Sequence, residues 1–173
     1  DWSSDVCSSD LIAQCEIDHL VAPVWDTPGG SLAGYQRWEE FRQRGLSAYE
    51  RKRNDALVDG VSRLSPYLHY GMVSPFRIAR EAEAERSAGG EKFLDELLIW
   101  RELAYHFCFH RTDHDQMSAL PDWATSTLER HREDIRPALY DWETLARGTT
   151  ADPLWNAAQR SLLLQGEIGR AHV

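Results

Sequence analysis

The stretch that decides the fold is EKFLDELLIWRELAYHFCFH, which runs from Glu91 to His110. At about 100° per residue, its apolar side chains cover nearly the whole circumference of a helix. Only a narrow strip around Asp95, Glu102 and His106 is polar enough to face water. A helix that is apolar almost all round belongs in a protein interior, and we expect this one to be the longest helix of the chain.

Two charged residues of this helix, Glu96 and Arg101, fall on the apolar arc. Glu96 lies one turn before Trp100 and about 40° away around the axis, so the two side chains can share a pocket. A carboxylate among apolar groups is costly unless it meets a partner or holds a proton. Two interpretations of Glu96 therefore stay open: an internal ion pair with a neighbouring helix, or a functional site.

Helix caps and turn signals divide the rest of the chain. Pro23, Pro28 and Gly29-Gly30 punctuate residues 12–30, which we expect to be a linker. No segment alternates between polar and apolar residues as a strand does, so the predicted fold class is all-α, with about six helices. Besides the long helix, the expected helices cover 31–53, 75–86, 123–132, 142–147 and 153–164.

The two ends of the chain are related to each other at the level of coding DNA. Asp5–Leu11 can be encoded by GACGTGTGCTCTTCCGATCTC, and the reverse complement of that string translates to Glu167–Val173. The string also resembles a common sequencing adapter. We therefore interpret residues 1–11 and 167–173 as artefactual tails and exclude them from the fold argument.

Composition limits the class of protein. The chain has 173 residues, 42% of them hydrophobic, which is enough for one domain with a core. A net charge of −9 argues against an extended, sequence-independent nucleic-acid binder, although a local patch can still grip one lesion. No apolar run reaches membrane length and no genuine signal peptide is visible, so a cytoplasmic protein without membrane contact is expected.

Metal-ligating residue types are scarce outside one segment. Cys15 and Cys108 lack CxxC spacing, so no zinc site is indicated. His106 and His110 are spaced i, i+4, and the polar residues 113–115 follow them. Because no second cluster accompanies this pair, a polar loop after a helix is the favoured interpretation, and we predict no metal site.

The turn from Ser62 to Ser65 is the second candidate site. Its two hydroxyls, the guanidinium of Arg63 and the free backbone amides can receive a phosphate group. Serine-rich turns also cap helices, and Pro66 favours that alternative.

Three separated motifs carry a family resemblance: VSRLSPYLHYGMVSP at 61–75, FLDELLIWREL at 93–103 and TADPLWNAAQ at 150–159. Together they resemble the DNA photolyase and cryptochrome family, most closely the class II cyclobutane pyrimidine dimer photolyases and their bacterial relatives. The resemblance implies that residues 31–166 are part of the family's helical FAD-binding domain. It also implies an N-terminal domain, outside this chain, that carries an antenna chromophore.

The resemblance assigns roles to individual residues. Arg101 would lie against the flavin, Glu96 would face the flipped pyrimidine dimer, and Trp100 would pack against its bases. Trp155 resembles the middle member of the tryptophan chain that photoreduces the flavin. The diphosphate of FAD would be held by Tyr49, Ser62, Arg63, Leu64 and Ser65.

The function implied by this resemblance is light-driven repair of pyrimidine dimers in DNA, with reduced FAD as electron donor. A buried, protonated Glu96 could donate to a thymine carbonyl as negative charge builds there. The chain alone is expected to be monomeric, to bind FAD weakly or not at all, and to repair nothing. The alternatives are a cryptochrome-type blue-light photoreceptor and a flavin-free helical interaction module.

Overall fold

The structure is a computed structural model that describes residues 12–17, 19, 23–55 and 57–166. The two predicted tails, 1–11 and 167–173, lie outside the described residues. Every regular element within the described ranges is helical, so the all-α prediction is confirmed. The end of the expected linker is tied to the domain, because the Tyr67 hydroxyl donates to the Pro28 carbonyl at 2.8 Å.

The first predicted helix is interrupted. Helix α1 is Ser31–Arg44, a 3-10 turn follows at Leu46–Ala48, and helix α2 is Tyr49–Lys52. The prediction of one continuous helix from 31 to 53 was therefore wrong. The break falls at Gly45, where a Cβ atom would lie 2.8 Å from the Phe41 ring, so this ring packs over a position without a side chain.

The middle of the chain forms two further helices. Helix α3 is Ser65–His69 and helix α4 is Pro75–Ala84. The Ser74 hydroxyl accepts from the Arg77 N–H at 3.4 Å, and Pro75 occupies the first turn, so the helix begins at the predicted residue. Helix α4 ends two residues before the expected boundary, and Arg86 then takes a left-handed φ of 45° that redirects the chain.

The long helix consists of three parts. Helix α5 is Ala88–Leu94, a π-helical segment is Asp95–Trp100, and helix α6 is Arg101–His110. It begins three residues earlier than predicted, so Gly89 and Gly90 lie inside it. Gly89 is there because a Cβ atom would lie 1.9 Å from the Leu46 carbonyl oxygen, and only glycine allows that approach. The π segment was not predicted.

The core is aromatic and lies between α1, α2, α4 and α5. Trp38 is 1% exposed, and its ring stacks on Phe93 at a centroid distance of 5.5 Å. Its indole Nε1 donates to Glu81 Oε2 at 2.6 Å, so the buried polar atom has a partner. The buried hydrophobic residues are Trp38, Phe41, Leu46, Tyr49, Leu64, Tyr67, Val73, Ile78, Ala82, Phe93 and Leu97.

Burial stops midway along the long helix. Phe93 and Leu97 are buried, whereas no residue of α6 is. Within the described residues, the prediction that the whole helix lies in an interior was therefore wrong for α6. The described elements pack closely around α5 and leave the apolar side chains of α6 uncovered, including Leu103, Phe107 and Phe109.

The last part of the described chain forms α7 (Asp122–Arg130), α8 (Trp142–Arg147) and α9 (Pro153–Gln165). The predicted bounds of α8 are confirmed, and Asp152 caps α9 through the N–H groups of Leu154 and Trp155. Among the residues that the structure describes, no helix is both long and apolar enough to cross a membrane.

Replacing Gly89 with alanine should destabilise the chain by about 2 kcal/mol or more, because the new methyl group would collide with the Leu46 carbonyl. Urea unfolding followed by circular dichroism measures the loss. Gly29→Ala is the matched control, since its methyl group would meet only the end of Met72 at 3.8 Å. Equal stability of the two variants would contradict the packing described here.

Candidate functional site

Helix α2 and the long helix are joined at two successive levels. The ring of Tyr49 meets the ring of Phe93 edge-on, at a centroid distance of 5.5 Å and an interplanar angle of 80°. One turn further along each element, Arg53 Nη1 lies 2.7 Å from Glu96 Oε1. The aromatic contact therefore sets the spacing at which the ion pair forms.

Glu96 takes part in a cluster of four charged side chains. Lys92 Nζ lies 3.2 Å from the same Glu96 oxygen and also donates to the Asp95 carboxylate. The side chains of Arg53 and Glu96 are 18% and 24% exposed, so the pair is half-buried at the edge of the core. Of the two interpretations of Glu96, the structure shows the ion pair. In this arrangement the carboxylate is a hydrogen-bond acceptor.

Trp100 and Arg101 lie where the π segment ends, and the Trp100 indole donates a hydrogen bond to the carboxylate of Asp95, a member of this cluster. The Trp100 side chain is 57% exposed, whereas Glu96 is turned towards the end of α2. The Arg101 guanidinium carbon lies 4.7 Å from the centroid of the Tyr105 ring, and its Nη1 lies 3.4 Å from Glu102 Oε1. The described residues therefore leave the indole surface of Trp100 available for stacking.

The turn at Ser62–Ser65 has an unusual backbone. Arg63 adopts a left-handed φ of 52°, and Leu64 follows in the right-handed region at φ −86° and ψ −8°. Such a reversal turns successive N–H groups towards one side, which is the geometry of anion-binding nests. Ser62 Oγ accepts from the Leu64 N–H at 3.4 Å, and Ser65 is exposed. Hydroxyls and backbone amides are groups that can donate to a phosphate, and the Leu64 N–H already donates to Ser62 within this turn.

Two residues assigned to the phosphate site have structural contacts as well. Arg63 pairs with Asp26 at 3.2 Å and with Asp59 at 3.4 Å, so two carboxylates offset its charge at the turn. Tyr49 is a core residue, because its ring packs against Phe41 and Phe93. The hydroxyl is the only polar group of this side chain.

A close backbone contact connects the turn to the Glu96 cluster. A Cβ atom on Gly60 would lie 2.6 Å from the Lys52 carbonyl oxygen, so the loop segment that leads into the turn packs against the end of α2. Arg53 follows directly and reaches Glu96. Trp155 belongs instead to the α8–α9 hairpin, where its Nε1 donates to the Leu145 carbonyl at 3.0 Å.

The candidate metal ligands were the two histidines of α6 and the polar segment that follows this helix. The rings of His106 and His110 lie 4.3 Å apart, centroid to centroid. Within the described ranges, no three His, Cys, Asp or Glu residues converge as metal ligands do. Arg111 donates to both oxygens of Asp113 and Ser118 donates to one of them, and these bonds hold the pKa of Asp113 well below its usual range.

Arg53 and Lys92 are the site residues that sequence reasoning missed. Lys92 stands four residues before Glu96, and this spacing is a helix ion-pair signal that could have been used. Arg53 is 43 residues from Glu96 along the chain, and no local pattern marks that contact.

Curated relatives of this chain bear one name. The chain is 36% identical over 172 residues to the deoxyribodipyrimidine photo-lyase of Potorous tridactylus. The alignment covers 97% of this chain and 31% of that protein. The enzyme of the same name from Methanothermobacter thermautotrophicus is 37% identical over 142 residues, and the alignment covers 81% of this chain and 31% of that protein. The enzyme of Arabidopsis thaliana is 39% identical over 132 residues, and the alignment covers 74% of this chain and 27% of that protein. No family model matches the chain.

A solved structure shares the fold. The class III photolyase from Agrobacterium tumefaciens matches 80% of this chain and 28% of its own, with a TM-score of 0.64 and 24% identity. The helical fold is thus that of part of a photolyase. The chain belongs to the photolyase/cryptochrome family and spans less than a third of the length of the curated relatives named above.

The Lys92 ammonium group lowers the pKa of Asp95 below its ordinary value of 3.8 by donating a hydrogen bond to it. Any stability from this bond is present above pH 3.8 and is lost as the pH falls through the pKa of the folded state. Lys92→Met should raise the pKa of Asp95 towards 3.8 in a carbon-13 NMR titration of the side-chain carboxyls.

Asp141 is the internal control for this titration, because the Thr144 backbone N–H lowers its pKa. Its titration should not move in the Lys92→Met variant. An unchanged Asp95 midpoint would show that Lys92 does not hold this carboxylate.

Proposed function

We propose that the protein to which this chain belongs repairs pyrimidine dimers in DNA by light-driven electron transfer. The observation that carries the proposal is the placement of a carboxylate, Glu96, and an exposed indole, Trp100, within one π-helical segment. The names of the relatives support the substrate class. Because the chain spans under a third of those proteins, the activity belongs to the longer protein.

FAD is the cofactor that we propose. Bound flavin supplies the light absorption and the electron, and the protein supplies position and electrostatics. The diphosphate would be held by the hydroxyls of Ser62 and Ser65 and by the backbone amides of Arg63 and Leu64. The Tyr49 hydroxyl would lie nearby. Arg101 would lie against the ring system, and Trp155 would take part in photoreduction.

The substrate would be a dimer turned out of the duplex. A damaged, unpaired site costs less to flip than sound bases, and stacking on an aromatic side chain returns roughly 1–3 kcal/mol per base. The exposed face of Trp100 suits this role. The cations Arg53 and Lys92 would make this edge less acidic than the rest of the chain.

Glu96 would bind the dimer through hydrogen bonds. As a carboxylate it accepts from the N3–H of a pyrimidine. Donation to a pyrimidine carbonyl would require the ion pairs with Arg53 and Lys92 to open first, because a proton on Glu96 competes with both. A photoreceptor needs no such group at this place, and this favours repair over a signalling cryptochrome.

The test is Glu96→Gln in a full-length protein that contains this chain. The variant should retain its flavin absorption spectrum and lose about tenfold or more in the rate of dimer repair per absorbed photon, because the charged hydrogen-bond partner is gone. Glu85→Gln is the control, since Glu85 pairs with Arg42 on the α1–α4 side. Unchanged repair by the Glu96 variant would exclude this residue from the reaction.

A flavin-free interaction module is distinguished by Arg101→Ala in the same protein. If Arg101 lies against bound flavin, its removal should shift the flavin absorption bands or lower flavin content. A full-length protein without any flavin absorbance would favour the interaction module.

A further inference from the structure

Arg63, in the candidate phosphate turn, is bound by a segment that is distant in sequence. Its Nη1 lies 3.2 Å from Oδ2 of Asp26, which precedes it by 37 residues. The other carboxylate oxygen of Asp26 accepts from the Thr27 hydroxyl at 3.0 Å. The backbone carbonyl of Asp26 accepts from Arg37 Nη2, on α1, at 2.7 Å. Asp26 therefore joins the turn to helix α1.

The segment that carries Asp26 is attached to the domain at two further points. The hydroxyl of Tyr67, on α3, donates to the Pro28 carbonyl at 2.8 Å, and the Tyr67 side chain is 1% exposed. The Gly30 N–H donates to the Met72 sulfur at 3.1 Å. The backbone on which Asp26 stands thus has a defined position beside the candidate turn.

The backbone of Arg63 gives this contact its importance. Its φ of 52° lies in the left-handed region, which is unfavourable for a residue with a Cβ atom but open to glycine. Such a conformation persists only where the surroundings impose it. It is also the conformation that turns successive backbone N–H groups towards one side, as an anion-binding nest requires. A contact that holds Arg63 in this conformation therefore holds the N–H groups of the candidate phosphate site.

Two carboxylates meet the Arg63 guanidinium, and they differ in what they can restrain. Asp59 Oδ1 lies 3.4 Å from the Arg63 Nε, but the Asp59 side chain is 72% exposed and stands only four residues away in the same loop. Water screens such a pair, and it connects the turn to no other element. The Asp26 side chain is 27% exposed and comes from a separate segment. Asp26 is therefore the carboxylate that can restrain the turn.

We infer that Asp26 is a positioning residue for the candidate phosphate site. Its ion pair with the guanidinium keeps the Arg63 backbone left-handed, so that backbone N–H groups of the turn, and not the guanidinium, receive the diphosphate of FAD. This inference rests on the proposed FAD site.

Two other roles of the ion pair lead to different results. If the guanidinium itself bound the diphosphate, Asp26 would compete with the ligand, and its removal would strengthen binding. If the pair only stabilised the fold, its removal would lower thermal stability and leave the affinity of the folded protein for FAD unaltered.

The experiment titrates FAD into a flavin-depleted full-length protein that contains this chain and measures the dissociation constant by flavin fluorescence. Asp26→Ala should raise the dissociation constant about tenfold, because the released Arg63 backbone leaves the left-handed region. Asp59→Ala is the matched control. It removes the same charge from the same guanidinium, and it should not raise the dissociation constant.

Two substitutions of Arg63 test the backbone directly. Glycine adopts a left-handed φ without a side-chain contact, whereas alanine does not. Arg63→Ala should therefore bind FAD about tenfold more weakly than Arg63→Gly, although both lack the guanidinium. In the Arg63→Gly background, Asp26→Ala should have no further effect on the dissociation constant.

The contrary outcomes are distinct. Tighter FAD binding by Asp26→Ala, or equal loss of affinity in Arg63→Gly and Arg63→Ala, would overturn the inference and assign the guanidinium to the phosphate. Unaltered affinity in Asp26→Ala, with lower thermal stability, would overturn it in favour of a structural ion pair. If Asp26→Ala does not fold, the comparison of the two Arg63 variants decides alone. An unsubstituted full-length protein that binds no FAD would overturn the proposed function, and the inference with it.

Discussion

The contact between α2 and the long helix is the constraint on which the rest of this structure depends. This interface has two successive levels. At the first, Tyr49 contacts Phe93, and at the second, Arg53 forms an ion pair with Glu96. The first level joins the core around Trp38, because Phe93 also stacks on that indole. The second level lies where the helix changes from α to π geometry. Core packing and the candidate site are therefore parts of one continuous arrangement.

Two glycines allow the chain segments near this interface to approach closely. One of them, Gly89, also shows why a helix boundary predicted from the sequence was wrong. Gly89 lets α5 approach the Leu46 carbonyl, and Gly60 lets the following loop pass against Lys52. The pattern of turn signals predicted a helix boundary at Gly89-Gly90, because glycine normally ends helices. Tertiary packing reversed that preference. By contrast, α8 matched its predicted bounds, since a local cap at Asp141 determines its start.

The prediction that the whole long helix is buried depended on periodicity, which records apolar character but not which elements are present to cover it. Phe93 and Leu97 are covered by described elements, whereas Leu103 and Phe107 are not. Among the described residues no element covers these side chains, although their apolar character alone predicts burial. Residue chemistry alone singled out Glu96 and the Ser62–Ser65 turn as candidates, but Arg53 became visible only in three dimensions, because its contact crosses 43 residues.

A structure of the full-length protein with FAD and dimer-containing DNA tests the central claim most directly. The account predicts that the Glu96 carboxylate lies within hydrogen-bond distance of a pyrimidine of the dimer, with the Trp100 ring against its bases and Arg53 still oriented on Glu96. A dimer bound elsewhere, with the pair of Arg53 and Glu96 remote from both flavin and lesion, would contradict it.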